Sequence, residues 1–246
     1  MGLLNDPALV VATARTADER RRLQREELGR RWAAEHGIPT PAVVASDPDG
    51  RWLVGERVEE AGVVPLGDAL EIAARIARAP VPDLGIAPST WRASPLTRPL
   101  RALMLPTVGV SPMTFLRVRA AAADLPRDHS VHGDFHPGNL LRSGAGPVVV
   151  DWEHLGAGYA RADELRFLTT QPLDVSIPEV ESMMLSAGRV ERRRIVACFR
   201  WLTLRNLAGH ADLARHRTHL EDVAVLRERW RVVDAFAEAS IGGSGR

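Results

Sequence analysis

The stretch from Val131 to Gly158 constrains this chain more than any other part of its sequence. It begins V-H-G-D-F-H-P-G-N, in which Asp134 is followed five residues later by Asn139. A continuous apolar run, Val148 to Val150, then leads to Asp151, seventeen residues after Asp134. Such a run, bounded by turn residues, predicts a buried strand whose carboxyl end presents Asp151 to a cleft. One loop and one strand end therefore carry the polar residues best suited to chemistry.

This pattern resembles the catalytic and metal-binding core of the aminoglycoside phosphotransferase and choline kinase family, distant relatives of the protein kinases. His132-Gly133-Asp134 with Asn139 keeps the spacing of the kinase loop H-R-D-x-x-x-x-N, and Asp151, followed by Trp152 and Glu153, matches the kinase D-F-G aspartate. The resemblance implies an enzyme in which Asp134 orients an acceptor hydroxyl and takes its proton. It also implies that ATP is the phosphoryl donor and that Asn139 and Asp151 hold Mg²⁺ or Mn²⁺, since hard oxygen ligands suit such ions.

The same resemblance implies roles for four other residues near this core. His136 stands where protein kinases often carry a lysine that reaches the γ-phosphate, and Glu153 is placed either as a further metal ligand or as a group supporting the ligands. His132 is expected to be structural, packed beneath the loop, and Asp163 to brace the loop through its backbone. Taken singly, polar residues in a Gly- and Pro-rich loop usually bond to their own backbone. The combined spacing favours the phosphotransferase interpretation.

A strand and a helix are predicted near the start of the chain. Ala8 to Ala12 is a short apolar run typical of a strand. Thr16 to Glu19 has the form of a capping box and predicts a helix from about Ala17 to His36, stopped by Gly37.

Two departures from the family pattern fall in this region. In the family, a lysine on the strand pairs with a glutamate on the helix; Glu26 matches the glutamate, but Ala12 stands at the lysine position. The family's first two strands and their phosphate-covering loop should precede Ala8, where seven residues stand. Glu26 equally fits an ion pair with Arg22 or Arg30, four residues away on either side, on an exposed helical face.

A hairpin is predicted next, from Ala42 to Ala45 and from Trp52 to Val54. Asp47 to Gly50 reads Asp-Pro-Asp-Gly, and these residues favour a tight reversal. The segment that follows matches the family's hinge, whose backbone would hydrogen-bond the adenine edge. The hinge residues are Gly55, Glu56, Arg57 and Val58.

These elements predict a mixed α/β (α+β) chain with a two-lobed, protein kinase-like fold. Residues 1–60 are expected to form a truncated N-terminal nucleotide-binding lobe with the hinge. Residues 61–240 would form a mostly helical C-terminal lobe with the catalytic loop and acceptor site, and residues 241–246 a flexible tail. The region 80–112, rich in Pro, Ser and Thr, is expected either to shape the acceptor pocket or to be a surface connection.

Composition excludes several partners. The chain has 32 basic and 31 acidic residues, so its net charge of +1 provides no general attraction to nucleic acid or membranes. No stretch is long and apolar enough to predict a signal peptide or a transmembrane helix. A single cysteine, Cys198, excludes an internal disulfide and fits the reducing cytoplasm.

The leading functional prediction is an ATP-dependent O-phosphotransferase acting on a small molecule of the aminoglycoside, sugar or amino-alcohol type. A Ser or Thr hydroxyl of a peptide is an alternative acceptor. The missing lysine and Gly-rich loop favour another alternative, a pseudokinase that binds or scaffolds without catalysis. The presence of Asp134, Asn139 and Asp151 together favours the enzyme, because a chain freed from catalysis has no chemical reason to keep all three.

Overall fold

The computed structural model describes residues 6–83, 105–213 and 220–242. The strands are β1 (Leu9–Thr13), β2 (Val43–Ser46), β3 (Trp52–Glu56), β4 (His129–Val131), β5 (Leu140–Ser143), β6 (Gly146–Val149) and β7 (Gly156–Gly158). The α-helices are α1 (Ala17–Glu35), α2 (Leu66–Arg78), α3 (Pro112–Ala123), α4 (Ala162–Leu168), α5 (Leu173–Leu185), α6 (Arg189–Leu213) and α7 (Leu220–Gly242). Short 3-10 helices span Leu105–Val108, Pro137–Asn139 and Trp152–His154.

Close contacts divide the chain into two compact units. The first is built from residues 1–90 and 127–167, and the second from residues 91–126 and 168–246. The loop that contains Asp134 belongs to the same unit as the N-terminal sheet. The lobe boundaries at residues 60 and 240 stay a prediction.

The N-terminal sheet of the first unit has the strand order β1-β3-β2, and both pairs are antiparallel. The β2–β3 hairpin turns where predicted: Gly50 donates its N–H to the Asp47 carbonyl at 2.8 Å. Gly50 has a φ of 71°, in the left-handed region that glycine adopts without strain.

Helix α1 begins and ends through the local signals that its sequence contains. Thr16 accepts the N–H of Glu19, and the Glu19 carboxylate accepts the N–H of Thr16, which confirms the capping box. At the other end, Gly37 has a φ of 66°, and the N–H of Ile38 donates to the Ala33 carbonyl at 2.9 Å. This is a Schellman motif, and it ends the helix where Gly37 predicts.

The core of the first unit joins α1 and α2 to the catalytic segment. Trp152, completely buried, packs with ring centroids 6.1 Å from Trp32 of α1 and 4.8 Å from His132. Its indole N–H lies 3.0 Å from the Thr40 hydroxyl. A Cβ added at Gly29 would lie 2.5 Å from the Trp152 Cβ, so α1 approaches this tryptophan closely because position 29 has no side chain. The tryptophan after Asp151 therefore belongs to the core.

In the second unit, α3, α6 and α7 surround a separate apolar core. Its buried members include Val118, Leu204, Leu207 and Trp230. Arg200 of α6 binds Asp234 and Glu238 of α7, and these contacts add charge pairing to the apolar seam between the two helices. No helix within the described residues is both long enough and apolar enough to cross a membrane.

The ends predicted for the first strand, the first helix and the hairpin lie within about two residues of those of β1, α1, β2 and β3, which is the usual uncertainty of helix and strand boundaries. The strand predicted from Val148 to Val150 is observed as β6, which ends one residue earlier at Val149, so Val150 stands between the strand and Asp151. The expected mixture of a small N-terminal sheet and a mostly helical remainder is confirmed. Residues 84–104, most of the region expected either to shape the acceptor pocket or to be a surface connection, lie outside the described residues, as do residues 243–246 of the expected tail.

Candidate active site

Asp134 lies in the loop between β4 and the 3-10 helix Pro137–Asn139, and an arginine and a histidine approach its carboxylate. Arg166 of α4 donates to Oδ1, with its NH2 nitrogen at 3.1 Å. The Nε2 atom of His136 lies 3.5 Å from Oδ2. Burial alone would raise the pKa of Asp134, but His136 and Arg166 outweigh burial and hold this pKa below its usual range. The carboxylate is therefore ionised and held from both sides.

Asn139 connects the catalytic loop to the strand that precedes Asp151. Its side-chain amide donates to the Asp134 carbonyl at 3.0 Å, and its own carbonyl accepts the N–H of Val150 at 3.0 Å. The amide nitrogen is thus committed to the loop, whereas the Oδ1 atom accepts no hydrogen bond from any residue that the structure describes. The three residues selected from the sequence lie in one hydrogen-bonded segment of the first unit.

Asp151 has an unusual backbone conformation. Its φ of 63° and ψ of 61° make it the one non-glycine residue with positive φ within the described ranges. Asp and Asn tolerate this left-handed conformation better than most residues, and its presence beside a catalytic loop is typical of functional strain. Burial, followed by the neighbouring charge of Glu153, raises the pKa of the Asp151 carboxyl.

The chemistry of Asn139 and Asp151 fits a hard divalent cation. Within the described parts of the chain, neither Asn139 Oδ1 nor the Asp151 carboxylate accepts a hydrogen bond. No group of three or more His, Cys, Asp or Glu side chains in residues 6–83, 105–213 and 220–242 is arranged around a metal position. Magnesium usually keeps several waters and is bound by one or two protein oxygens together with substrate phosphates, so two protein ligands suffice.

Asp163 and His132 support the loop from beneath, at the positions that the sequence predicts. Asp163 accepts the backbone N–H of His132 at 2.6 Å and that of Gly133 at 3.0 Å. The His132 Nε2–H donates to the Val150 carbonyl at 3.0 Å, while its Nδ1 accepts the N–H of Asp134. Burial lowers the pKa of His132 to about 4 and raises that of Asp163 to about 7. A neutral His132 tautomer therefore links the loop to the strand before Asp151.

Glu153 lies between the side chains of His154 and Arg22, and α1 holds the backbone beside it. Its carboxylate lies 3.2 Å from His154 Nε2 and 3.7 Å from Arg22 Nε. Arg25, which is buried, donates its Nε–H to the Glu153 carbonyl at 2.5 Å and an NH2 hydrogen to the Leu155 carbonyl at 2.9 Å. The sequence analysis did not identify Arg25, although it joins α1 directly to the segment after Asp151.

Glu26 is buried and pairs with a residue of its own helix. The Arg30 Nε–H donates to Oε1 of Glu26 at 2.5 Å, which matches the spacing of four that the sequence offered. Arg22, the other candidate partner, turns to Glu153 instead. The face is buried rather than exposed, and burial raises the pKa of Glu26. Its second oxygen, Oε2, is buried and accepts no hydrogen bond within the described residues.

Most backbone groups of the predicted hinge already have partners. Gly55 and Glu56 belong to β3, and the N–H of Glu56 donates to the Ala42 carbonyl. The N–H of Arg57 donates to the Ala8 carbonyl at 2.7 Å. Among these four residues, the N–H of Val58 donates to no residue that the structure describes. Val58 therefore offers the backbone donor that a nucleotide base at the hinge would need.

The loop that carries Asp134 and Asn139 belongs to the same unit as a small antiparallel sheet, an arrangement that fits the class of kinase-like phosphotransferases. The family model described as "Phosphotransferase enzyme family" (APH) matches residues 3–192. The chain belongs to this family, which confirms the phosphotransferase class that the sequence predicts. No curated protein sequence matches the chain.

Solved structures agree in fold at low sequence identity. A choline/ethanolamine kinase family protein from Mesorhizobium loti is 17% identical, with a TM-score of 0.60 over 95% of this chain and 84% of that chain. Aminoglycoside phosphotransferase APH(4)-Ia, in complex with ADP and hygromycin B, is 18% identical, with a TM-score of 0.59 over 97% and 88%. ADP-bound APH(2'')-Ib is 14% identical, with a TM-score of 0.56 over 95% and 88%. These similarities confirm the predicted kinase-like fold class.

Proposed function

We propose that this phosphotransferase transfers the γ-phosphoryl group of ATP to a hydroxyl of a small molecule of the aminoglycoside, sugar or amino-alcohol type. The observation that carries this proposal is the hydrogen-bonded connection of Asp134 and Asn139 to Val150, the residue directly before Asp151. Asp134 orients the acceptor hydroxyl and takes its proton. When bound, Mg²⁺ or Mn²⁺ neutralises charge on the phosphates, and Asn139 Oδ1 and the Asp151 carboxylate hold it.

The other residues of the site assist this arrangement. His136 and Arg166 fix the Asp134 carboxylate, and His136, whose Nε2 lies 3.5 Å from Asp134 Oδ2, also contacts the transferred phosphate. Glu153 supports the metal side of the site. The backbone of the hinge at Val58 binds the base. The ADP in the APH(4)-Ia and APH(2'')-Ib structures supports nucleotide use, and their names support an aminoglycoside-like acceptor.

The proposal places these roles in a nucleotide-binding lobe of residues 1–60 and a larger lobe of residues 61–240 that also provides the acceptor site. It places the reaction in the cytoplasm, where a chain with a single, buried cysteine stays reduced. The partners are a nucleotide and a small hydroxyl compound.

The decisive experiment is an acceptor screen with labelled ATP, Mg²⁺ and the unaltered protein. Aminoglycosides, sugars, amino alcohols and Ser- or Thr-containing peptides form the panel, so that the same assay separates the two acceptor classes. Asp134→Ala should abolish transfer to the acceptor identified while leaving the unfolding transition in place, because this side chain aligns the hydroxyl and is not part of the apolar core. Undiminished transfer by this variant would contradict the role of Asp134.

The same experiment tests the pseudokinase alternative. The absence of a lysine at Ala12 favours that alternative, whereas the ionised Asp134 and the oxygens of Asn139 and Asp151 without hydrogen-bond donors favour catalysis. Metal-dependent ATP binding without transfer to any member of the panel would support the non-catalytic protein.

A further inference from the structure

Neither the family pattern nor the charge distribution of the sequence predicts the position that Arg30 takes in the first unit. Its Nε–H binds Glu26, and the two side chains are only 17% and 10% exposed. The two terminal guanidinium nitrogens make no hydrogen bond to any residue that the structure describes. A charged group with several free donors in a largely buried setting is costly unless another partner completes it.

The guanidinium of Arg30 lies against the central strand of the sheet. A Cβ added at Gly55 would lie 2.5 Å from Arg30 NH1. The guanidinium therefore fills the space where any other residue at position 55 would place its side chain. A glycine inside a central strand lowers its intrinsic stability, and close approach by another group is a common reason for it. Gly55 and Arg30 are complementary in shape.

The strand register puts Ala12 on the same face as this guanidinium. Ala12 of β1 is paired with Leu53, and Val10 with Gly55. Directly opposed residues of an antiparallel pair point to one face, as do alternate residues of a strand. Since the Cβ direction of Gly55 meets Arg30, the side chain of Ala12 points to the face on which Arg30 lies.

Other arginines of α1 are committed elsewhere. Arg25 donates to the Glu153 and Leu155 carbonyls, and Arg22 lies beside the Glu153 carboxylate. Arg31 pairs with Glu27 on an exposed part of the helix. Of these four arginines, Arg30 alone combines a fixed, largely buried position with terminal nitrogens that have no described partner.

We infer that Arg30 supplies, from α1, the positive charge that meets the nucleotide phosphates in place of the absent strand lysine. Glu26 holds the guanidinium through Nε, and Gly55 makes room for it, which leaves NH1 and NH2 to donate to phosphate oxygens. A guanidinium suits this task because its planar fork binds phosphate in two-point fashion. This inference rests on the proposed function, because it requires a nucleotide at this site.

The test compares two ligands that share base and ribose and differ in phosphate. Calorimetric affinities for Mg²⁺-ATP and for adenosine are measured for the unaltered protein and for Arg30→Met, which keeps an aliphatic chain against Gly55 without the charge. Arg31→Met is the matched control, since it removes the other arginine that pairs with a glutamate four residues earlier on the same helix. Ala12→Lys is then added to Arg30→Met.

We expect Arg30→Met to weaken Mg²⁺-ATP binding by about tenfold or more, the loss expected for one charge-assisted contact. Adenosine binding should change by less than about threefold, and Arg31→Met should leave both affinities unchanged. Ala12→Lys should restore much of the ATP affinity in the Arg30→Met background, because its ammonium would lie on the same face and Oε2 of Glu26 has no hydrogen-bond partner within the described residues. If Arg30→Met does not fold, Glu26→Gln combined with Arg30→Met removes the unpaired buried carboxylate and serves instead.

Two results would overturn the inference: unchanged ATP affinity in Arg30→Met, or an equal loss of adenosine affinity, which would mean that Arg30 only supports the local structure. Failure of the proposed function looks different. In that case the unaltered protein binds neither Mg²⁺-ATP nor adenosine and transfers no phosphate, and the role of Arg30 falls with it. Turnover and binding by the unaltered protein, with no effect of Arg30→Met, would remove the Arg30 assignment alone.

Discussion

Arg166 and Asp134 are joined across 32 residues of sequence, with both Nε and NH2 of the guanidinium directed at the same carboxylate oxygen, Oδ1, at 3.3 and 3.1 Å. The two side chains are only 15% and 24% exposed. Because Arg166 occupies Oδ1, Oδ2 is the oxygen left for the acceptor hydroxyl in the proposed reaction, with His136 beside it. In that proposal, Arg166 determines which oxygen of Asp134 takes the proton.

We expect Arg166→Met to lower kcat by about 10- to 100-fold, less than the roughly 10²- to 10⁴-fold that a positioned general base contributes, while the KM for ATP changes by less than about threefold. The loss arises because the carboxylate is no longer fixed. Steady-state kinetics with the identified acceptor measures both constants. Arg161→Met, which removes an arginine paired with Glu164 at 2.9 Å nearby, is the control. An equal decrease in both variants would show that the effect is general rather than due to Asp134.

Asp151→Asn should remove most Mg²⁺-dependent ATP binding without loss of folding. Asn is the residue that best replaces Asp in the left-handed conformation observed here, so the backbone is undisturbed, but the charge that holds the cation is gone. Calorimetric titration with ATP, in the presence of Mg²⁺ and in EDTA, gives the measurement. For the unaltered protein we expect binding only with metal. Tight binding in EDTA would argue against a metal held at this position.

Gly29→Ala should destabilise the first unit by about 1–3 kcal/mol, the usual cost of forcing extra volume into a packed core. The new methyl group would meet the Trp152 Cβ at 2.5 Å. Gly67→Ala is the matched control, because position 67 lies in α2 with nothing within 4 Å of the added Cβ. This second change should be neutral or stabilise by up to about 1 kcal/mol, since alanine favours helix over glycine. Urea unfolding of both variants provides the comparison, and equal effects would refute the close approach at Gly29.

The pH dependence of stability should contain two opposed contributions. His132 has a pKa of about 4 in the fold against an ordinary 6.5, so the unfolded chain takes up its proton first and stability falls as pH drops from 6.5 to 4. Asp163 has a pKa of about 7 against an ordinary 3.8, so the unfolded chain loses its proton first and stability falls as pH rises from 3.8 to 7. Between pH 4 and 6.5 these slopes largely cancel.

Asp163→Asn removes the contribution of Asp163 to the pH dependence of stability. The quantity to follow is the free energy of unfolding of the unaltered protein minus that of the variant. As pH rises from 4 to 6.5, this difference should decrease by about 1 kcal/mol for each pH unit, close to the limit of about 1.4 kcal/mol for one proton. Denaturant titrations at several pH values measure this difference, in which other groups cancel. A difference that does not vary with pH would mean that Asp163 has an ordinary pKa. A constant offset is expected in addition, because one amide can accept only one of the two N–H groups that Asp163 now accepts.

The features that sequence predicts well are those whose causes lie close together in the chain. The capping box at Thr16 needs three neighbouring residues, and the turn at Asp47 needs four. The spacing from Asp134 to Asn139 is likewise local, and the structure places the two in hydrogen-bond contact as the loop motif requires. Each of these patterns contains its own partner, so no knowledge of the tertiary structure is needed to find it.

The contacts of Arg25 and Arg166 could not be predicted in this way, because each partner lies far along the chain and no local pattern distinguishes these arginines from their many neighbours. For the same reason, the sequence leaves the partner of Glu26 open. Its helix has an arginine four residues away on either side, and only the packing of the folded chain decides which of the two pairs with Glu26. Two glycines in the sequence did indicate where other groups approach closely. Gly29 inside a helix and Gly55 inside a strand both weaken their own elements, and each marks a point of close approach.

Arg25 holds main-chain oxygens of residues 153 and 155 rather than their side chains. The identity of those two residues is therefore free to change without loosening this attachment, whereas any insertion or deletion between them would shift the carbonyls out of reach. Helix α1 therefore depends on the path of the main chain after Asp151 and not on the identity of the side chains there. Substitutions in this segment should therefore be tolerated much better than insertions or deletions.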